Sequence, residues 1–269
     1  MKIKLLSAVA VLATGFAAAP AFADEASPIT VTGSAAIVSQ YKFRGLTQSD
    51  SKPAVQASIT VSHSSGFYVS MWGSSGASDR FGPNSDYISP NGGTEIDVYG
   101  GYTKALAGVT VDVGLYGYIY PNLTAANIFE VYGSLAKTFG PLTAKVGVNW
   151  APKQHYFTQL CAGGVCPITQ YSVYEYGALT YANGPFTVHG SIGHTGGGLD
   201  FLGVKQYLDF NAGVSYKWKA LTFDISAVGT DISKGDIETI TGFAPGTYGN
   251  VSAYRYGKFA PVASLTASF

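Results

Sequence analysis

Cysteine and methionine are scarce: two of each in 269 residues, against 34 glycines, 19 tyrosines and 15 phenylalanines. Two cysteines cannot build the multi-bridge framework on which small secreted domains rely. Charge is also thin, at 12% Asp, Glu, Lys and Arg, about half the usual share for a soluble domain. Acidic and basic residues balance at 16 each, so there is no basic field to attract nucleic acid. Past the N-terminus, long apolar runs are missing. Gly, Thr, Ser or a charge interrupts every run within a few residues, which excludes transmembrane helices of about 20 residues.

The N-terminus reads as a signal peptide. Lys2 and Lys4 give a positive region, Leu5 to Ala19 is apolar and small, and Ala21-Phe22-Ala23 is an A-x-A cleavage site. Cleavage between Ala23 and Asp24 leaves residues 24–269 as one mature domain with an acidic excess of about two. At about 246 residues the mature chain is long for a single β-sandwich and suits one closed barrel.

Period-two alternation recurs along that domain and predicts twelve strands: 30–44, 53–62, 67–74, 95–104, 109–119, 127–139, 142–150, 171–181, 185–195, 206–217, 221–230 and one from Lys258 to the end. The connections alternate between short and long. The short ones fall at 63–66, 105–108, Gly140-Pro141, Asn183-Gly184 and Trp218-Lys219-Ala220. Short turns on one end and long loops on the other are the pattern of a transmembrane antiparallel β-barrel, with periplasmic turns and extracellular loops. The final residues, Ala263 to Phe269, alternate Ala, Leu, Ala, Phe with Ser, Thr, Ser. A terminal Phe269 on an alternating strand is how such barrels present themselves to the barrel-assembly machinery. The expected location is therefore the outer membrane of a Gram-negative bacterium, in contact with lipid and lipopolysaccharide.

If hydrocarbon lies outside, the apolar set of each strand faces lipid and the polar set faces the lumen, because a Lys or Arg at mid-membrane costs about 2–4 kcal/mol. Val113, Leu115, Val146, Phe223 and Ile225 then point outward. The inward set holds Asp97, Asp112, Glu130, Glu175, Asp209 and Asp224, with Lys42, Arg44, Lys145, His189 and Lys205 on the basic side. Lys104 and Lys137 fall on the apolar parity beside short turns, from which they can snorkel to the interface. The register at Glu175 depends on its turn. A two-residue Asn183-Gly184 turn points it outward, and a three-residue turn with a bulge points it inward, the arrangement expected on energetic grounds.

Rings of charge set selectivity in pores, and an acidic majority favours cations. The same residues could equally hydrogen-bond across the barrel and keep its wall solvated. Arg44, Asp97 and Lys145 are the expected constriction, and Trp72 falls on the inward parity with Tyr68. Cys161 and Cys166, within one long loop, suit a loop-closing disulfide in an oxidising compartment. No cofactor or metal site is expected, since ligands at metal spacing are missing around the cysteines. An outer-membrane lipase would need a serine within reach of a histidine. His189 with Ser191, and His63 with Ser62 or Ser64, are the available pairs, and neither carries a nucleophile-elbow motif. An enzyme is not expected.

Residues 39–75 read SQYKFRGLTQSDSKPAVQASITVSHSSGFYVSMWGSS, followed from Glu95 by EIDVYGGY. The string Y-x-F-R-G-x-T-Q-S-D, then K-P-A-x-Q, then S-G-F-Y-V-x-x-W, resembles the TorF-type porin family of proteobacteria. The motifs cover the first three or four strands, and the remainder is similar in strand pattern. The resemblance implies an outer-membrane barrel and passive passage of small hydrophilic solutes, with no defined substrate. On this reading Tyr41 and Phe43 sit in the outer aromatic girdle, Lys42 and Arg44 point inward, and Gly45 allows the turn.

Overall fold

The computed structural model describes residues 27–76, 93–121, 124, 127–154, 171–197 and 206–269. Twelve antiparallel strands close into a barrel. They are β1 (Ile29–Val38), β4 (Ala54–His63), β5 (Phe67–Ser75), β6 (Thr94–Leu106), β7 (Val109–Ile119), β8 (Ile128–Phe139), β9 (Leu142–Ala151), β10 (Ser172–Asn183), β11 (Phe186–Gly197), β12 (Tyr207–Trp218), β13 (Leu221–Thr230) and β14 (Ala260–Ser268). Two short strands, β2 (Lys42–Phe43) and β3 (Leu46–Thr47), form a separate hairpin. Each barrel strand pairs with its sequence neighbour, and β1 pairs with β14 to complete the circle.

Closure leaves no unpaired edge, which is the condition for a sheet to lie in hydrocarbon. The seam joins the first and last barrel strands, β1 and β14. Ser34 lies opposite Ser268, and Gly33 and Phe269 exchange backbone hydrogen bonds at 2.8 and 3.0 Å. The Phe269 ring lies over Gly33 on the outer face, where a Cβ would come within 2.6 Å of it. Leu265 and Phe269 point outward, while Ser264, Thr266 and Ser268 line the interior, as the terminal alternation predicts.

The same two-residue period sorts every wall. Ile37, Val55, Leu115, Val146 and Ile225 are between 57% and 68% exposed on the outer surface. Aspartates and glutamates of the opposite parity are buried inside. Among the described residues no helix is long and apolar enough to cross a membrane, so the apolar belt belongs to strands. Lys104 and Lys137 lie on the outer face beside short turns, and the Lys137 ammonium sits 5.2 Å from the Phe139 ring.

One end of the barrel carries only tight connections. Ala107 and Gly108, with φ of 50° and 79°, form one two-residue turn, and both positive values are the signature of a type I′ hairpin. All longer connections lie at the opposite end. The last of them contains two helices that strand patterning does not anticipate: α1 (Lys234–Thr241) and α2 (Tyr248–Gly257). Ser233 and Asp236 form a reciprocal capping box on α1, and Gly242 ends it at φ 73°. Thr247 caps α2.

Candidate functional site

The lumen is built from two unlike walls. On β6, β7 and β8 the inward positions include both acids and tyrosines, and the two types bond to one another across strands. Tyr116 Oη donates to Asp97 Oδ2 at 2.8 Å, Tyr118 Oη to Glu130 Oε2 at 3.0 Å, and Tyr120 Oη to Glu95 Oε1 at 3.3 Å. Tyr68 Oη donates to Asp112 Oδ1 at 2.9 Å and also bonds the Tyr132 hydroxyl. On the adjoining wall Tyr174 Oη donates to Asp209 Oδ1 at 3.2 Å. A phenol both fills space and satisfies a carboxylate, so this half of the lumen is crowded and its acids are largely solvated by protein. The rings lie over small residues of neighbouring strands. A Cβ at Gly147 would meet Tyr176 Cζ at 2.5 Å, so only glycine leaves room for that ring.

The facing wall, on β1, β4 and β14, presents Ser34, Ala36, Ser58, Thr60, Ser264 and Thr266. These side chains are short; Gln56 on β4 is the longer exception. Ser34 and Ser58 hydroxyls bond each other at 2.7 Å. Between the two walls lies a cavity of about 330 Å³.

Over this cavity folds the connection between β1 and β4. The first barrel strand ends at Val38, and the chain then turns inward. Arg44 and Gly45, with φ of 46° and 78°, make the two-residue type I′ turn that joins β2 to β3. Gly45 is required twice over: its φ is positive, and a Cβ would lie 2.9 Å from Asp209 Cβ on β12. Asp50 and Ser51, both also at positive φ, turn the chain back toward β4, closed by a 2.9 Å bond from Lys52 N to Ser49 O. The Ser49 hydroxyl accepts from Tyr41 N at 2.9 Å and donates to Lys52 O at 2.6 Å, which ties the base of the hairpin.

The hairpin tip is latched across the barrel. Arg44 Nη2 donates to both Glu130 carboxylate oxygens, at 2.8 and 2.7 Å, and its guanidinium lies 4.2 Å from the Tyr174 ring and 4.8 Å from Phe43. Both partners are deeply buried, with side chains 5% and 1% exposed. Asn149 Nδ2 adds a 2.9 Å bond to Glu130 Oε2. Tyr41 meets Trp72 edge-on at 5.3 Å, and Phe43 meets Tyr118 at 5.4 Å.

The helices of the last connection close over the hairpin from outside. Ile237, Ala253 and Tyr256 cluster with Tyr207 and Ile232, and Leu46 packs against them. Arg255 Nη2 donates to Asp50 Oδ1 at 2.9 Å. Lys42 Nζ donates to Gly45 O and to Lys258 O, at 3.0 and 2.9 Å. Burial, aided by the neighbouring Lys258 ammonium, pulls the Lys42 pKa down to about 8.

A family model described as "bacterial protein of unknown function (Gcw_chp)" matches residues 22–269. The chain belongs to this Gcw_chp family. No curated protein matches it. Among solved structures it is similar to the "KdgM porin", at TM-score 0.54 and 11% identity over 88% of this chain and 99% of that one. It is also similar to a "NanC porin structure", at TM-score 0.53 and 13% identity over 89% and 99%. At these identities the likeness establishes the fold: this Gcw_chp chain has the closed barrel of porins.

Within that barrel, Arg44, Trp72, Asp97, Asp112, Lys145, Asp209 and Asp224 line the cavity. Glu130 is buried in the wall behind them as the partner of Arg44. His189 faces inward and bonds Asp224 Oδ2 at 2.8 Å through Nε2. Glu175 does not join them. Asn183 pairs with Phe186, so the turn is Gly184-Pro185, two residues long and displaced by one from Asn183-Gly184. Gly184 at φ 59° followed by proline suits a type II′ turn, and no bulge is needed. Glu175 therefore points outward, near the loop end of β10, and bonds His194 at 3.0 Å on the neighbouring strand. A glutamate near the edge of the apolar belt costs less than one at its centre. Its neighbours Tyr174 and Tyr176 are inside.

One further expectation is corrected. Tyr41 and Phe43 are not girdle residues, because strand β1 has ended before them and the hairpin carries both into the lumen. Trp72 packs on that same hairpin. The helical cap carried one sequence signal, the S-x-x-D spacing of Ser233 and Asp236, and a strand-oriented reading passes over it. The signal peptide with Ala23 and Asp24, the Cys161–Cys166 bridge and Lys205 lie outside the described residues.

Proposed function

We propose that this chain is an outer-membrane channel for passive diffusion of small hydrophilic solutes through a narrow, mildly acidic lumen. The observation that carries the reading is the pairing of an outer apolar belt with a polar, cavity-bearing interior inside a closed porin-type barrel. A twelve-stranded wall encloses less space than the open sixteen-stranded porins, and the inward hairpin narrows it further. Flux is then slow and selective. The reading includes export through the signal peptide, insertion among lipid and lipopolysaccharide by the barrel-assembly machinery, and the TorF-type resemblance of the N-terminal motifs.

A second reading is favoured by the hairpin and the helices that cover the mouth: a barrel that conducts little and acts through its outer surface as a structural or adhesion protein. Planar-bilayer recording separates the two. Discrete current steps and swelling of liposomes in sugars or amino acids are expected of the channel, and a silent bilayer supports the closed barrel.

Lipase chemistry has weaker support. Ser226 Oγ donates to Asp224 at 2.6 Å instead of to a histidine, and Ser191 makes no bond to His189 among the described residues. His63 does bond Ser65, at 2.7 Å in an exposed turn, but no carboxylate orients that pair among the described residues. A phospholipase assay with and without calcium is expected to give no turnover.

A further inference from the structure

Glu95 and Asp97 stand two residues apart on the same face of β6 and are 1% and 3% exposed. Their carboxyl groups hydrogen-bond each other. An ionised carboxylate only accepts, so two ionised acids cannot make that bond, and one of them brings a proton to it. The remaining contacts agree. Glu95 Oε1 accepts from Tyr120 Oη at 3.3 Å and Asp97 Oδ2 from Tyr116 Oη at 2.8 Å, while Glu95 Oε2 and Asp97 Oδ1 have no donor among the described residues. One proton between the two carboxyls satisfies both oxygens left over.

The titratable groups around the pair are Tyr41 of the hairpin, Tyr99 of β6, Tyr116, Tyr118 and Tyr120 of β7, and Glu130 of β8, whose charge is held by Arg44. Trp72 and Ser74 of β5 lie opposite. Phenols and an already compensated carboxylate supply no counter-charge, and two carboxylates in contact within a buried layer repel strongly. The pair also touches the hairpin. The Tyr41 side chain hydrogen-bonds Glu95, and its ring meets Trp72 edge-on. The hairpin therefore has two fastenings to the crowded wall: Arg44 on Glu130 at its tip, and Tyr41 on Glu95 at its base. Asp97 and Tyr41 both line the cavity, which gives the proton a route to solvent.

We propose that Glu95 and Asp97 share one proton in the folded barrel, and that this proton is a switch on the hairpin. With it, the two carboxyls and Tyr41 are held together. When it passes to lumen water, two carboxylates remain, they separate, and the base of the hairpin is released. The shared proton stands apart from the channel reading, whereas its effect on current rests on that reading.

The test uses the full mature barrel between about pH 5 and about pH 8, below the range over which Lys42 titrates. At the acid end, infrared difference spectra against Glu95→Gln and against Asp97→Asn read the C=O stretch of a protonated carboxyl. Loss of that band in both variants is expected, because either amide leaves its partner a lone carboxylate with a donor beside it. A band that survives in one variant means a proton owned by a single acid, and no difference band means no proton; either overturns the proposal. Should a variant fail to assemble, the wild-type band alone decides, since it must fade as pH rises. In planar bilayers the wild-type current should increase several-fold across the same window, opposite in sign to the Lys42 effect. Glu95→Gln, which carries its own donor and cannot charge, should keep the acid-side current throughout. A flat wild-type response, or an unchanged response in Glu95→Gln, removes the switch. Should no current steps occur at all, the channel reading fails separately. Trypsin cleavage after the buried Arg44 then reports the hairpin: cleavage at the higher pH alone supports the switch, and equal resistance at both ends of the window refutes it.

Discussion

The wall formed by β6, β7 and β8 and the wall formed by β1, β4 and β14 face the same lumen with opposite solutions to the same problem. The first fills its inward positions with tyrosines and acids that satisfy one another, as in Tyr116 with Asp97 and Tyr118 with Glu130. The second leaves its inward positions mainly as serine, alanine and threonine, with Gln56, Val38 and Val262 as the larger exceptions. Alternation requires only that inward residues tolerate water. It leaves open whether the space is filled by protein or by solvent. The crowded wall also anchors the hairpin, through Glu130, so it determines both the shape and the charge of the opening. The bare wall supplies the width.

The sharpest way to break this contrast is to remove the anchor. Glu130→Ala leaves the Arg44 guanidinium buried and unpaired, which should cost about 3–5 kcal/mol in urea unfolding from lipid vesicles and raise single-channel conductance several-fold as the hairpin is released. The matching change on the bare wall, Ser264→Ala, should stay within about 0.5 kcal/mol. Bulk gives the converse. Ala36→Trp should close most of the free width and suppress conductance, whereas Tyr99→Ala should alter it far less, because Tyr99 stacks on Tyr116 at 4.7 Å within an already filled layer.

Packing tolerance separates the walls more finely. Gly147→Ala places a methyl against the Tyr176 ring and should cost about 1–3 kcal/mol, with no comparable penalty for Ser58→Ala. The smallest effect is that of pH. The latched hairpin holds the Lys42 pKa at about 8, against about 10.4 for a solvated lysine, so the released hairpin binds the proton more tightly. Latching should therefore strengthen as pH rises from 8 toward 10, lowering the open fraction modestly in recordings, and Lys42→Met should abolish the dependence.

The walls themselves were legible from alternation, because a strand has no choice about which of two neighbours faces lipid. Asp97, Asp112, Asp209 and Asp224 could be placed inside on that basis alone. The hairpin could not. Tyr41-Lys42-Phe43-Arg44 continues the apolar and polar alternation of β1, so it reads as four more residues of strand. Its inward fold depends on a partner 86 residues away, and no local pattern reports Glu130 as that partner. Aromatics compound the difficulty, since a tyrosine suits both a membrane interface and a hydrogen-bonded lumen. Glu175 failed for a narrower reason. The turn was assumed to carry a bulge, and one inserted residue reverses the parity of a whole strand.

The hydrogen bonds between Gly33 and Phe269 set a condition on how the molecule is made. These two residues lie far apart in sequence, and until both strands have formed and met the sheet has two raw margins, each able to pair with a stranger. Assembly must shelter both margins until they meet. Loss of Phe269 would remove the pair of bonds it shares with Gly33.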